Sequence, residues 1–214
     1  MRNLAFFLLL CAAGVPAFGQ VAEVQTRFHG QDEAEQAFWS ELYPSGGETL
    51  FCGKTFASDE GLAITAVYGV REIRQALRCT TTNQCAVQTP RYLNMIGDLH
   101  NLYPNEAGLE EQRRNDRFGE VAGNGPTGEC GLRSGFKLLE PPASARGNIA
   151  RALFHMHAEY DLPLPTALEI LQRWHRDDPA DQVERIRNDR IAMLQGTRNR
   201  FIDDPAQAQR LAKP

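Results

Sequence analysis

Two sets of arginines carry the spacing of a surface that grips phosphate. Arg71, Arg74 and Arg78 recur at helical intervals, and Arg113, Arg114 and Arg117 crowd a second predicted helix. The guanidinium fork matches phosphate or carboxylate oxygens, and the only lysines are Lys54, Lys137 and Lys213. Genomic base composition would give the same arginine bias, and these arginines could instead pair with Glu106, Glu110 and Glu111 on the same surface. Glu110 and Glu111 are hard oxygen donors that, with the hydroxyl of Thr65, would suit Mg2+ or Ca2+. A solvated helix face accounts for them equally well. His100, followed by Asn101, is the one histidine with a claim on acid-base chemistry, although a histidine on a packed helix ordinarily satisfies hydrogen bonds. His155 and His157, two apart on one helix, point to different faces, and His29 and His175 carry no motif.

These residues must be carried by an exported chain. Arg2, the apolar run Leu4 to Ala13, and the small residues Ala17 and Gly19 form a secretory signal peptide over residues 1–19, leaving 20–214 as one domain. The run is shorter than the ~20 residues that cross a bilayer, and no later segment comes closer. The expected mature form is therefore a monomer without a membrane span, periplasmic or secreted. A lipid anchor on Cys11 fails because Leu10 stands where processing needs a small side chain. The four cysteines that remain, Cys52, Cys79, Cys85 and Cys130, fit two disulfides in an oxidising compartment better than zinc, since no CxxC pair occurs. Cys79 with Cys85 would close the loop Thr80 to Gln84 and leave Cys52 for Cys130, a connectivity the sequence alone leaves open. A formal charge of −4 excludes a protein that coats nucleic acid by bulk charge, so any basic surface is local.

Periodicity supplies the elements. Ala34, Ala37, Phe38 and Leu42 predict a helix over 32–42; Thr49 to Cys52 and Leu62 to Val70 read as strands. After Pro90, the stripe Tyr92, Met95, Ile96, Leu99 and Tyr103 predicts a helix ending before Pro104, and a short helix follows from Leu109 to Phe118. The last third is helical: one helix after Pro142 with Ser144 as N-cap, one opened by Pro165 through Trp174, and one begun by Asp181 and Glu184 and closed by Gly196. The fold class is α+β, a single mixed domain whose small β portion is wrapped by helices.

Several strings then stop looking generic: FWSELY with GGETLFCGKTF, DLHNLYP, RFGEV, EPPASARGNIARALFHMHAEYDL and RNDRIAMLQGTRNRFIDDP. In order and spacing, from about Phe38 to Pro205, they resemble bacterial endonuclease I, a family of periplasmic and secreted nucleases that cut DNA and RNA with little sequence preference. The resemblance implies a ββα-metal finger. It also implies a strand ending in Glu-His-Val, where Glu holds the metal and His is the general base, with an Asn on the following helix completing the metal site.

Laid on this chain by its neighbours, that pattern puts Thr65 at the Glu position, Ala66 at the His position and Glu110 at the Asn position. Thr82 falls where many members carry a leaving-group arginine. No histidine occurs from Gly30 to Leu99, so sliding the alignment restores no base; a shift could offer only Glu72 as a carboxylate. The expectation is a degenerate nuclease homologue that binds nucleic acid through its local arginines or binds a secreted protein, with no cofactor assigned. The alternative is an active metal-dependent nuclease, using Mg2+ or Ca2+, rebuilt around Glu110, Glu111 and His100.

Overall fold

A computed structural model describes residues 24–123 and 127–212; the predicted signal peptide and Cys11 lie outside the described residues. The chain opens with α1 (Gln31–Ala37), which continues as a π-helical turn over Phe38–Leu42, and a two-stranded ribbon of β1 (Gly47–Glu48) and β2 (Thr55–Phe56). Strand β3 (Leu62–Ala66) then pairs antiparallel with β4 (Leu102–Glu106), Thr65 opposite Tyr103 and Ala66 opposite Leu102. Helix α5 (Ala107–Arg113) leaves β4 directly, so two strands and a helix form the ββα finger. Three short helices lie between the strands: α2 (Val70–Ala76), α3 (Thr82–Gln88) and α4 (Tyr92–Ile96). A second sheet follows, with β5 (Arg117–Phe118) parallel to β7 (Leu138–Glu140) and β6 (Arg133–Gly135) antiparallel to it.

The rest is helical: α6 (Ala143–Tyr160), α7 (Leu168–Asp177), α8 (Gln182–Gln195), α9 (Arg200–Asp203) and α10 (Gln207–Arg210). Helix α6 is the central pillar, with Ile149, Leu153, Phe154 and Met156 fully buried in a core shared with Phe51, Tyr68, Tyr92, Phe118 and Trp174. Such side chains contribute about 1.5–3 kcal/mol each on burial. Gly147 lets the α7–α8 connection touch α6: a Cβ there would meet the Asp178 carbonyl oxygen at 1.9 Å. Inside this contact Arg151, fully buried, grips Glu184 through two bonds of 2.7 and 2.5 Å and the Asp178 carbonyl at 2.7 Å. Among the described residues no helix is long and apolar enough to cross a membrane.

Both disulfides, Cys79–Cys85 and Cys52–Cys130, are formed, which overturns the zinc alternative for these cysteines. Several predicted elements are corrected. Thr49 to Cys52 is not a strand: Gly53 N–H donates to Thr49 O and Thr49 N–H to Lys54 O, folding the segment into a turn that Cys52 ties to Cys130. The strand predicted to run to Val70 ends at Ala66, because Val67 and Tyr68 donate to the backbone and side chain of Asn101. The Gly69 N–H is then accepted by Glu72 Oε2, which starts α2. The long helix expected over Tyr92–Tyr103 stops at Ile96. The Asp98 side chain accepts from His100 N–H and closes a single 3-10 turn, after which the chain is extended through Pro104 as β4.

The helix expected to reach Phe118 ends at Arg113, where Arg114 turns to φ +56°, and Arg117–Phe118 join the second sheet. Ser144 does not cap α6, whose N-cap is Pro142, and α7 starts after Ala167 rather than at Pro165. Asp181 does cap α8, accepting from Glu184 N–H at 2.8 Å, and Gly196 ends it in the left-handed region.

Candidate functional site

The finger places Thr65, Ala66 and Glu110 together. Thr65 is fully buried on β3 and its hydroxyl donates to Glu110 Oε2 of α5 at 2.6 Å. The other oxygen, Oε1, accepts from Arg113 Nη1 at 3.2 Å. Arg113 is itself buried, its guanidinium 4.5 Å from the centre of the Phe118 ring and bonded to the Val67 and Asp116 carbonyls. Beside this cluster opens a cavity of about 170 Å³, with Ile64, Ala66 and Val70 as its apolar wall. Glu72 and Glu110 supply its carboxyl groups, and Arg71, Arg114 and Asn115 stand at its rim.

Burial raises the Glu72 carboxyl above its ordinary value, against the Gly69 N–H bond and the charges of Arg113, Arg117 and Arg71. Burial raises Glu110 in the same way, opposed by Arg113 and the Thr65 hydroxyl. Two carboxyls that hold protons more readily than usual therefore face one small space under a set of arginines.

Of the six predicted phosphate-contact arginines, Arg113 alone is engaged in an ion pair among the described residues. Among the described residues, Arg71, Arg74, Arg78, Arg114 and Arg117 have neither a hydrogen bond nor an ion pair with an acidic side chain, whereas Glu106 faces Lys54 and Thr49. Arg71, Arg114 and Arg117 are exposed; Arg74 is half-buried on α2, and Arg78 follows that helix at φ +56°. Glu111 is exposed on α5 and does not line the cavity, and Thr82 is exposed in the first turn of α3.

His100 is elsewhere. It sits on the 3-10 turn rather than on a packed helix, fully buried, with Nε2 bonded to the Thr197 carbonyl at 3.0 Å. Its neighbours are Asp98 and His155, and it shares no partner with Glu110. Burial above all, with the nearby charge of His155, holds the ring neutral, its pKa pushed down to about 3. A rebuilt centre made of Glu110, Glu111 and His100 is therefore not assembled. A wider cleft of about 410 Å³, bordered by Tyr43, Thr49, Tyr103, Asn148 and Arg187, holds none of the predicted site residues.

The finger's donors do not suit the divalent cation that the family resemblance implies. A cation there needs several free oxygen ligands, but Thr65 Oγ1 and Glu110 Oε2 are spent on each other and Glu110 Oε1 faces a guanidinium. Ala66 offers no atom that could accept a proton from water. Glu72, Gln31 and Asn115 are cavity residues that the motif comparison did not select. The one signal for Glu72 was its position just past the β3 string.

A family model described as Endonuclease I matches residues 74–206. The chain is 36% identical over 125 residues to an extracellular deoxyribonuclease of Aeromonas hydrophila, covering 56% of this chain and 54% of that one. It is 29% identical over 120 residues to Endonuclease-1 of Buchnera aphidicola subsp. Acyrthosiphon pisum (strain APS), covering 54% and 48%. It is 28% identical over 133 residues to an extracellular ribonuclease of Bacillus amyloliquefaciens, covering 53% and 46%. The chain thus spans about half the length of the relatives it matches.

Proposed function

Because the chain belongs to the endonuclease I family, we propose that it is an exported member that binds nucleic acid without cutting it by the family's route. The observation that carries this reading is the rim of the Ala66 cavity, where Arg71 and Arg114 are exposed with no acidic partner among the described residues, and Arg117 lies close enough to act on Glu72. Free guanidinium groups spaced along one surface fit successive phosphates, and their use does not depend on base identity. The same surface lacks a positioned base, and losing a general base alone costs about 10² to 10⁴ in rate. The β3–β4 register supports the placement of Thr65 and Ala66, which precede the matched stretch but pair with Tyr103 and Leu102 inside it.

The test is a gel-shift titration of the purified mature protein on duplex DNA and on RNA across salt concentrations, alongside plasmid and RNA digestion with Mg2+ or EDTA. Binding should weaken steeply with salt and no metal-dependent cutting should appear. The Arg71→Ala/Arg114→Ala/Arg117→Ala variant should flatten the log–log salt slope on duplex by about 2.7, at ~0.9 per phosphate contact. Metal-dependent cutting lost in Glu110→Ala would overturn the non-cutting reading in favour of a centre rebuilt on Glu110. No shift at low salt would point the surface at a protein instead.

A further inference from the structure

Sheet register brings a second kind of side chain to the arginine rim. Strands β5 and β7 run parallel with Arg117 opposite Leu138, so the residues preceding one strand lie beside those preceding the other. Before β5 come Arg114 and Asn115, both at the rim of the Ala66 cavity. Before β7 comes the tip of the β6–β7 hairpin, a two-residue loop of Phe136 and Lys137 closed by the pairing of Gly135 with Leu138. Neighbouring strands lie about 4.8 Å apart and two residues of chain reach at most ~7 Å, which puts the Cα atoms of Phe136 and Arg117 within about 12 Å.

Phe136 is 90% exposed, the most open of the large apolar side chains among the described residues. Exposure alone carries nothing, since single apolar residues on a surface are ordinary. Its surroundings set it apart. Lys137 holds its ammonium 5.4 Å from the centre of the ring, which engages one face and leaves the other open. Lys137 also adopts φ +54°, the left-handed region where a short hairpin loop ordinarily takes Gly or Asn. It is exposed and makes no ion pair among the described residues. Arg114, Arg117 and Lys137 outnumber Asp116, the one carboxylate within 114–118 and 135–138.

Resting on the nucleic-acid reading above, we propose that Phe136 is a stacking platform for single-stranded nucleic acid. One unpaired base lies on the open face of the ring, while Lys137, Arg117 and Arg114 take the flanking phosphates. Bases in a duplex are stacked on one another, whereas an unpaired base has a free face. Stacking on an aromatic ring tolerates any sequence, because every base has such a face. The rival arrangement, a wedge driven between base pairs, has to unstack the step it enters and needs the ring clear on both sides. Here Lys137 occupies one side.

The experiment measures Kd by fluorescence anisotropy, in EDTA, for a labelled mixed-sequence single strand of ~12 nucleotides and for the same strand in duplex. Phe136→Ala should weaken single-strand binding roughly 5- to 150-fold, the ~1–3 kcal/mol of one stacked base at 1.4 kcal/mol per decade, and leave the duplex Kd unchanged. Phe136→Trp should keep the affinity, and its fluorescence should be quenched by the single strand beyond any change in the unaltered protein. Because the side chain is exposed, neither variant should shift the melting temperature. An equal loss on both forms overturns the single-strand assignment in favour of a wedge. No loss on either form, or no added quench, overturns the platform. Absence of binding to both forms at low salt removes the nucleic-acid reading itself, an outcome distinct from binding that Phe136→Ala leaves intact.

Discussion

Returning the missing groups to the finger should return cutting, and the comparison that isolates the base is Ala66→His added to a Thr65→Glu/Glu110→Asn background. The cavity beside Ala66, about 170 Å³, has space for an imidazole and for water, which occupies ~30 Å³ per molecule in the liquid. Thr65 is fully buried, so a longer side chain there costs about 1–3 kcal/mol of overpacking. That is within the ~5–15 kcal/mol that keeps a typical domain folded. Arg113 keeps an anionic neighbour, because the background moves a carboxylate from α5 to β3 rather than deleting it. A positioned base is worth about 10² to 10⁴ in rate, or roughly 2.7 to 5.4 kcal/mol of barrier at 1.36 per decade. Initial rates of supercoiled-plasmid nicking with Mg2+, against an EDTA control, should therefore rise by that factor between the double and the triple variant. Circular dichroism and thermal unfolding check that both are folded. A folded triple variant that nicks no faster than the double would refute the placement of Ala66 at the base position.

The raised Glu72 carboxyl makes both stability and binding depend on pH. Its protonated form is the one the fold prefers, so its contribution is full below the ordinary 4.5 and is lost as pH rises through the higher folded value. Over that window Glu72→Gln should flatten the decline in melting temperature, and an unchanged profile would remove Glu72 from the account. Nucleic acid should bind more tightly as Glu72 takes up its proton. At neutral pH Glu72→Gln should improve Kd by about two- to threefold, the effect of one like charge at ~8 Å in a high-dielectric setting. The two disulfides should differ in weight. By chain entropy the bridge spanning 78 positions is worth about 4.5 kcal/mol and the one spanning 6 about 2.2. Denaturant unfolding of Cys52→Ser/Cys130→Ser and Cys79→Ser/Cys85→Ser variants measures the ranking, and the reverse order would count against the entropic explanation.

Where the sequence was legible, local chemistry and tertiary demand agreed. Asp181, Glu184 and Gly196 bracket α8 because a cap and a left-handed stop act within one turn, and the pairing of Cys79 with its neighbour Cys85 follows from proximity. It was illegible where a distant partner overrode periodicity. The stripe from Tyr92 to Tyr103 has helical spacing, yet Asp98, held by His155, Tyr160 and Gln195, turns the chain after Ile96, and β3 then recruits Leu102–Glu106 as a strand. The same remote contacts took His100 away from Glu110. The absence of histidine from Gly30 to Leu99 could be read directly. The hydrogen bond between Thr65 and Glu110 could not, since their side chains are 45 positions apart and meet only when α5 folds over β3.

That hydrogen bond also bears on what holds the finger together. On the proposed placement of Thr65 and Glu110, a carboxylate stands on the helix in place of one on the strand, so the local charge is conserved while its position shifts. Arg113 explains the need. Its guanidinium is 3% exposed, packed on Phe118 and directed at the Val67 carbonyl, and a buried cation stripped of its anion costs about 3–5 kcal/mol. A carboxylate is thus required at this spot by packing, whether or not a metal is bound. Glu110 meets that requirement from α5, and Thr65 supplies a hydroxyl to the oxygen that Arg113 leaves free. Catalysis adds two further demands, oxygen ligands free for a cation and a base at its side, and neither contributes to the packing of Arg113. The ion pair with Arg113 holds Glu110 in place, whereas Ala66, paired with Leu102 in the β3–β4 ladder, takes no part in it.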